Sequence, residues 1–440
     1  MTGFGTFSPS GMTGRTLALV RALEAGSRVS FTEIRDVLAP AVHLLDRLEA
    51  TPQDAEWHAE GNVAVHSALV VERAHELADE AGLTGETRAA LILAAALHDV
   101  GKAVTTRREV DETGRVRLRS PRHARRGRDR LALTLPDAGL PTRLTLVVLA
   151  LVATHHRLGR TVDDPSGRAV WGLARTAPLP LLVLLARADA RGRVVAGGEA
   201  GDREEAATLL QVLAEEQGLW FTAGAALVFP DPYAAWADEV PRLLPSAPPE
   251  LLHFALVAGK RDFEAGLIHT PHEAAARAYR AASGFPQFTV MCGPGASGKS
   301  TSATDFGDVV VSLDALRAQI GKGVSDQSVN GQVLQAAREE ARVGLRAGRR
   351  VVWDATNLRV SGRAGVLGLG FDYGALTRVV TGWTPSGELP GRNAARLDPV
   401  PPGVLGTQLE TLEWPEVGEA HELLFITPDG ALHPPLEFCP

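Results

Sequence analysis

The sequence predicts a multidomain protein: an all-α domain over residues 1–195, a helical connector over 196–283, and an α/β domain with a parallel sheet over 284–440. Three observations carry that reading. Apolar residues recur at helical spacing through Val63 to Ala81, Thr87 to His98 and Leu144 to Thr154. After Phe285 the texture changes to short β-branched runs alternating with helical pattern. There an apolar run, Phe288 to Cys292, leads straight into Gly293-Pro-Gly-Ala-Ser-Gly-Lys-Ser300. Strands alternating with helices after such a turn imply a parallel sheet with its site at the carboxyl ends of the strands.

Composition narrows the classes. With 440 residues, 45% of them hydrophobic and 22% charged, the chain resembles an ordinary globular protein with sizeable cores. A net charge of −7 excludes a uniformly basic coat, so any nucleic-acid contact must come from local patches. Cys292 and Cys439 supply neither a disulfide framework nor a cysteine-based zinc site, which fits a reducing cytosol. The first residues lack the basic-then-apolar pattern of a signal peptide, and Leu144 to Ala153 is too short to span a bilayer. The expectation is a soluble, cytoplasmic protein without a membrane partner.

In chain order, a short helix is expected around Thr16 to Glu24, and helix throughout from there to about 195, punctuated by Gly82, Gly85 and Gly101-Lys102. The connector holds helical pieces at Asp202 to Gln217, Ala234 to Leu244 and Thr270 to Ala282. The last opens with Thr270 as N-cap and Pro271 in the first turn. No chemistry is expected in the connector. In the last part, Val309 to Leu313, Arg350 to Trp353 and Thr377 to Thr381 read as buried strands, with Ser328 to Ala347 as a long helix.

Gly293 to Ser300 fits G-x-x-x-x-G-K-[ST] at every fixed position. Glycines let the backbone wrap a phosphate closely, so Gly293, Gly295, Ala296, Ser297, Gly298 and Thr301 are candidate contacts for ATP or another NTP. Lys299 would reach the β/γ-phosphates, Ser300 would ligate Mg²⁺, and the following helix offers its N-terminus to the anion. Asp314, read as the end of the next strand, would orient an attacking hydroxyl and accept its proton. Arg317 would grip a phosphate of the acceptor. Asp354, at a further strand end, would assist the metal or the loop. Arg392 and Arg396, at i and i+4, are expected to point the same way from a helical lid over the phosphoryl group.

The helical domain carries its own series: His66, His98-Asp99, His123, the pair His155-His156, and Asp189. Imidazole with carboxylate suits borderline divalent metals, and a bridging aspartate suits two of them. Two ions can clamp a phosphate and activate a water. Between Arg107 and Arg130, ten arginines stand against four acids around His123. Such a run is either a solvated face or a track for a polynucleotide backbone.

This series resembles the HD superfamily of metal-dependent phosphohydrolases over residues 50–195, through its order H…HD…H…H…D and Ala95-Ala-Leu-His-Asp-Val-Gly-Lys102. Trp57-His-Ala-Glu-Gly-Asn-Val63 is similar to the corresponding stretch in some tRNA nucleotidyltransferases. The resemblance implies one metal held by His66, His98, Asp99 and Asp189. Asp99 would bridge to a second, held by His123 and His155, with His155 preferred over His156. Lys102 would sit near the scissile phosphate and Arg193 would bind another phosphate oxygen, while His58 and Glu60 would support the site. Residues 285–440 resemble the polynucleotide 5′-kinase family through the P-loop, Asp314, Arg317, Asp354-Ala-Thr-Asn357 and Arg392-Asn-Ala-Ala-Arg396 before Val400-Pro.

Together the two halves look like the bacterial HD-Pnk group of end-healing enzymes. That resemblance implies removal of a 2′,3′-cyclic, 2′- or 3′-phosphate by one domain and phosphorylation of a 5′-hydroxyl by the other. The partners implied are RNA or DNA ends and a nucleic-acid ligase, and the cofactors are ATP, Mg²⁺ and two divalent transition metals. Two rival readings stand beside it: an HD nucleotidase fused to a small-molecule kinase, and a regulatory protein that binds ATP and metals without turnover. RNA against DNA, metal identity, order of steps and oligomeric state stay open at this level.

Overall fold

The structure, a computed structural model, describes residues 9–164, 166–194, 201–324 and 326–439. The chain forms two compact units, residues 1–232 with 436–440, and residues 233–435.

The first unit opens with α1 (Pro9–Glu24) and α2 (Phe31–Leu38), the latter started by a capping box between Ser30 and Glu33. Helix α3 (Val63–Glu80) begins where the Asn62 side chain accepts from the Val65 N–H. Helix α4 (Gly85–Leu97) is apolar and buried nearly all round, so it forms the centre of a bundle with α3 packed against it. Helix α5 (Lys102–Thr105) follows at once.

Helix was expected throughout this region, but β1 (Arg107–Val110) and β2 (Val116–Arg119) form an antiparallel hairpin instead. Turn chemistry explains it. The Asp111 carboxylate accepts from the N–H groups of Thr113 and Arg115, and Gly114 takes φ 82°, so the chain reverses before a helix can propagate.

Helices α6 (His123–Thr134), α7 (Thr142–Thr154), α8 (Leu158–Val162), α9 (Arg168–Ala174) and α10 (Leu179–Arg191) complete the bundle. Helix α11 (Gly201–Glu216) packs on α10 and α8, burying Ala207, Leu210 and Ala214. The expected boundary at 195 therefore does not coincide with the compact unit, which keeps this apolar face and runs on through β3 (Phe229–Pro230).

The second unit starts with α12 (Ala234–Leu243), α13 (Pro249–Glu264) and α14 (Pro271–Ala278), joined by a core of Val240, Leu244, Leu251, Ala255, Ala275 and Ala278. Thr270 and Glu273 form the capping box before α14. Strand β4 (Gln287–Cys292) then enters a six-stranded sheet. Helix α15 (Lys299–Phe306), β5 (Val309–Ser312), α16 (Leu313–Ile320), α17 (Asn330–Arg346) and β6 (Arg350–Asp354) follow.

Next come α18 (Val360–Asp372), β7 (Leu376–Gly382), α19 (Leu389–Ala394), α20 (Pro402–Thr411), β8 (Glu422–Ile426) and β9 (Leu432–His433). The sheet order is β5-β6-β4-β7-β8-β9, parallel except for β9. Strand β4 is central, with Val290 in register with Trp353 and Val379, and its carboxyl end delivers the glycine-rich loop. The last strand, β10 (Phe438–Cys439), pairs parallel to β3 in the first unit.

No single helix among the described residues is long and apolar enough to cross a membrane.

Candidate metal centre and phosphoryl-transfer site

In the first unit, five helices deliver one cluster. His66 comes from α3, His98 and Asp99 from the end of α4, His123 from the start of α6, His155 from the end of α7 and Asp189 from α10. All six are buried. Gly101 makes the assembly possible: a Cβ there would lie 2.0 Å from the His123 carbonyl oxygen, so only glycine lets α6 approach Asp99.

The ring orientations follow from the neighbouring carbonyls. Nδ1 of His98, His123 and His155 lies 2.8, 2.8 and 2.7 Å from the backbone oxygens of Ala95, Ser120 and Val152. A carbonyl oxygen only accepts, so each Nδ1 carries the proton and each Nε2 is a lone pair. His66 differs: its Nε2 lies 3.1 Å from Asp189 Oδ1 and its Nδ1 3.0 Å from Glu60 Oε1, and although burial pushes the imidazole down, Asp189 and Glu60 outweigh it and raise it above its ordinary value.

The Nε2 atoms of all four histidines surround the carboxylates. Asp99 Oδ2 lies 3.6 Å from His66 Nε2 and 3.3 Å from His98 Nε2; Oδ1 lies 3.0 Å from His123 Nε2 and 3.9 Å from His155 Nε2. Asp189 Oδ1 is 3.1 Å from His66 Nε2 and 3.8 Å from His98 Nε2. His98 Nε2 and His155 Nε2 are buried without a hydrogen-bond partner and turn their lone pairs toward the carboxylates, while Asp99 Oδ2 also meets the Lys102 ammonium at 2.7 Å. That arrangement fits cations: His66, His98 and Asp189 form one group able to hold an ion, and Asp99, His123, His155 and His156 form a second, so His155 and His156 are both placed at the second position.

Electrostatics agree. Burial pushes the Asp99 carboxyl up, but Lys102, His98 and His123 outweigh it and hold it well below the usual range. Burial of Asp189 is likewise overcome by Arg193 and Arg203. Burial and the neighbouring His98 and His123 push His155 well down, so it stays neutral, the state a ligand needs.

Lys102 Nζ sits 2.7 Å from Asp99 Oδ2 and 2.6 Å from Gln53 Oε1. Arg193 lies 3.2 Å from Asp189 through Nε and Nη2, but from the segment after α10, which ends at Arg191, and not from a further turn of that helix as its spacing suggests. His58 Nδ1 is 2.7 Å from Glu60 Oε1, and burial brings this imidazole down to about 4.

Two features escape sequence reasoning. Gln53 carries no motif. Arg203, on the helix expected to be a chemically silent connector, donates to Asp189 Oδ2 at 2.5 Å and to His156 Nδ1 at 3.0 Å. In sequence it reads as one more charge on a solvated helix face.

In the second unit, Gly293 (φ 132°) and Gly298 (φ 86°) take backbone angles that side chains disfavour, and Ala296 (φ 64°) shares the left-handed region. Lys299 is buried under this loop, with Nζ 3.3 Å from the Pro294 carbonyl. Ser300 Oγ donates to Asp354 Oδ1 at 3.0 Å, a hydroxyl–carboxylate pair suited to Mg²⁺ beside a phosphate cradle. A Cβ on Gly298 would lie 3.5 Å from Arg392 Nη2, so Arg392 already overlooks the loop.

Three expectations are adjusted. Asp314 does not end a strand: β5 stops at Ser312, which caps α16, and Asp314 lies in the first turn. Arg317 is buried and donates to Asp314 Oδ1 at 2.7 Å and to Asn330 Oδ1 at 3.3 Å, so it holds the carboxylate rather than projecting freely. Arg392 and Arg396 do not share a helix, because α19 ends at Ala394. The Asn393 amide bonds both the N–H and the carbonyl of Val400, folding the intervening residues into a loop.

Arg363 was missed altogether. It is fully buried, paired with Glu419 at 2.7 Å, and donates to the carbonyls of Asn357 and Leu358. Asn357 (φ 45°) in turn donates to the Met291 carbonyl, and Gly293 N–H to Thr356. The loop after Asp354 and the glycine-rich loop are thereby one hydrogen-bonded assembly.

Compared with curated proteins, the chain finds no match. Residues 63–193 match the family model for the HD domain and residues 288–415 match that for the AAA domain. The chain thus joins a helical HD domain of phosphohydrolase type to an α/β domain of P-loop kinase type.

Proposed function

We propose that the chain heals broken nucleic-acid ends, its first unit removing a 2′,3′-cyclic, 2′- or 3′-phosphate and its second transferring the γ-phosphoryl group of ATP to a 5′-hydroxyl. The observation that carries this reading is the pairing on one chain of a site arranged to take a phosphate off with a site arranged to put one on. Divalent cations bound between Asp99 and the histidines would supply charge neutralisation and an activated water. The protein's part is to aim Nε2 of His66, His98, His123 and His155 at the carboxylates, with the Nδ1 protons of the last three held by backbone carbonyls, and to hold Asp189 through Arg193. In the second unit, Lys299 and the loop N–H groups hold the donor phosphates. Asp314, its side chain 68% exposed, accepts the proton of the acceptor hydroxyl while Arg317 fixes its orientation.

A polyanionic substrate is supported by the arginine-rich hairpin. Beside it, Arg47, Lys102, Arg107 and Arg108 line a cavity of about 460 Å³. Such a surface attracts a phosphate backbone without reading bases. A cytoplasmic setting and a ligase that seals the products go with this reading.

The test uses a short RNA bearing a 5′-hydroxyl and a 2′,3′-cyclic phosphate, with ATP, Mg²⁺ and a panel of transition metals. Asp99→Ala should lose only 3′-end processing and Lys299→Ala only 5′-phosphorylation. Turnover of free nucleosides and nucleotides with both RNA ends untouched would replace end healing by nucleotide metabolism.

A further inference from the structure

The helices that precede the sheet in the second unit, read from sequence as a connector without chemistry, help enclose a cavity of about 360 Å³. That volume lies within the range that holds a small ligand. Small side chains leave the space: Ala255, Ala258 and Gly259 of α13 and Ala274 and Ala278 of α14 all line it. One wall is aromatic. Phe254 and Phe285 stack with ring centres 4.6 Å apart at 19°, and His421 meets Phe254 and Phe371 edge-on at 5.9 and 5.3 Å.

The charged groups of the lining are three arginines against one aspartate. Arg277 is committed to Asp262 and to the Leu267 carbonyl, and Arg261 lies over the Phe371 ring at 3.9 Å. Arg280 has no hydrogen bond or ion pair with any described residue, and the Tyr373 hydroxyl has no hydrogen bond to one. The balance is positive, and one guanidinium and one phenol are left to meet a ligand.

The cavity lies at the amino edge of the sheet. Pro286 and Ala375, both in its lining, immediately precede β4 and β7. The glycine-rich loop leaves the opposite end of β4, whose six residues at about 3.3 Å each set the two places roughly 20 Å apart.

We propose that this cavity is a second nucleotide site, its aromatic wall taking the base while Arg280 and the Tyr373 hydroxyl take the phosphate. Flat rings, and a guanidinium laid on one of them, favour a planar heterocycle over a flexible chain. A partnerless guanidinium beside them favours an anionic group on that heterocycle. A free nucleotide and one unit of a single strand share this chemistry. The site is separate from both catalytic centres and does not rest on the end-healing reading.

The test photolyses 8-azidoadenosine 5′-monophosphate on the full chain carrying Lys299→Ala, which removes nucleotide binding at the glycine-rich loop. Peptide mapping should place saturable label within residues 254–286 or 371–375. Arg280→Ala should weaken this labelling about 10-fold and Arg280→Glu further, and Ala258→Phe, which fills the cavity, should remove it. Adenosine should need about 10-fold more than AMP to compete, and Arg280→Ala should erase that difference. Arg280 is exposed and partnerless, so its variants decide the matter even where Ala258→Phe does not fold.

A short single-stranded RNA that competes below the concentrations AMP requires would make the occupant a strand, and the reverse order would make it a free nucleotide; both uphold the site. Label confined to the glycine-rich loop or the metal centre would overturn the proposal. So would labelling at these residues that Arg280→Glu leaves unmoved, or adenosine competing as well as AMP.

Discussion

Glu60 Oε1 lies 3.0 Å from His66 Nδ1 and 2.7 Å from His58 Nδ1, so one buried carboxylate orients the first histidine of the cluster. Its other oxygen accepts from the Val194 N–H, which ties the segment before α3 to the end of α10. Hydrogen-bonded partners of this kind fix ligand orientation and basicity. Glu60→Ala should therefore weaken binding of the cation near His66 by about 10- to 100-fold while His66 stays in place. A competitive titration of the apo chain with Zn²⁺ or Co²⁺ reads this directly; unchanged affinity would mean Glu60 is only a packing residue.

Gly101→Ala tests the geometry rather than the ligands. The new Cβ would meet backbone, the His123 carbonyl at 2.0 Å and the Gly127 nitrogen at 2.6 Å, so α6 must retreat. The expected result is loss of the cation held by His123, with the one held by His66, His98 and Asp189 retained. Metal stoichiometry distinguishes this from global unfolding, which would empty both positions.

Much of this was legible in the sequence because the ligands sit at helix ends and the glycine-rich loop follows a strand, and local spacing encodes both. The hairpin at Arg107–Arg119 was not, since its turn depends on an Asp111 side chain competing with helix for the backbone. Strand β8, Glu-Leu-Leu-Phe-Ile, has a single β-branched residue where its neighbours have runs of them, and pairing with β7 and β9 makes it a strand. Arg203 and Arg363 act through contacts 14 and 56 residues away in sequence, a relation no spacing rule contains.

Arg363 carries the largest single stability effect expected in the second unit. Its guanidinium is fully buried, and its pairing with Glu419 holds it charged, raised above the ordinary arginine range despite burial. Arg363→Ala leaves Glu419 without its partner and frees the carbonyls of Asn357 and Leu358, costing about 3–5 kcal/mol. Calorimetry of the full chain should show the transition of the second unit move down while that of the first stays. The double change Arg363→Met with Glu419→Leu should recover part of the loss, because it removes the stranded charge.

Lys299 gives a pH dependence with a definite sign. Burial lowers its ammonium below the ordinary lysine value, and Asp354 and Asp314 offset this only in part. Between that lowered value and the unfolded one, the unfolded chain binds more protons than the native one, so stability of the second unit rises with pH through this alkaline window. Below the window the cost of the buried charge is present in full, and Lys299→Met should then raise the melting temperature of the second unit at neutral pH while abolishing ATP binding. Bound polyphosphate supplies the missing anion and lifts the lysine back, so ATP binding takes up a proton within the window and weakens as pH rises through it. Isothermal titration in two buffers of different ionisation enthalpy measures that uptake. If wild type and Lys299→Arg, which cannot lose its proton there, show the same proton count, another group carries the linkage and the account of Lys299 is wrong.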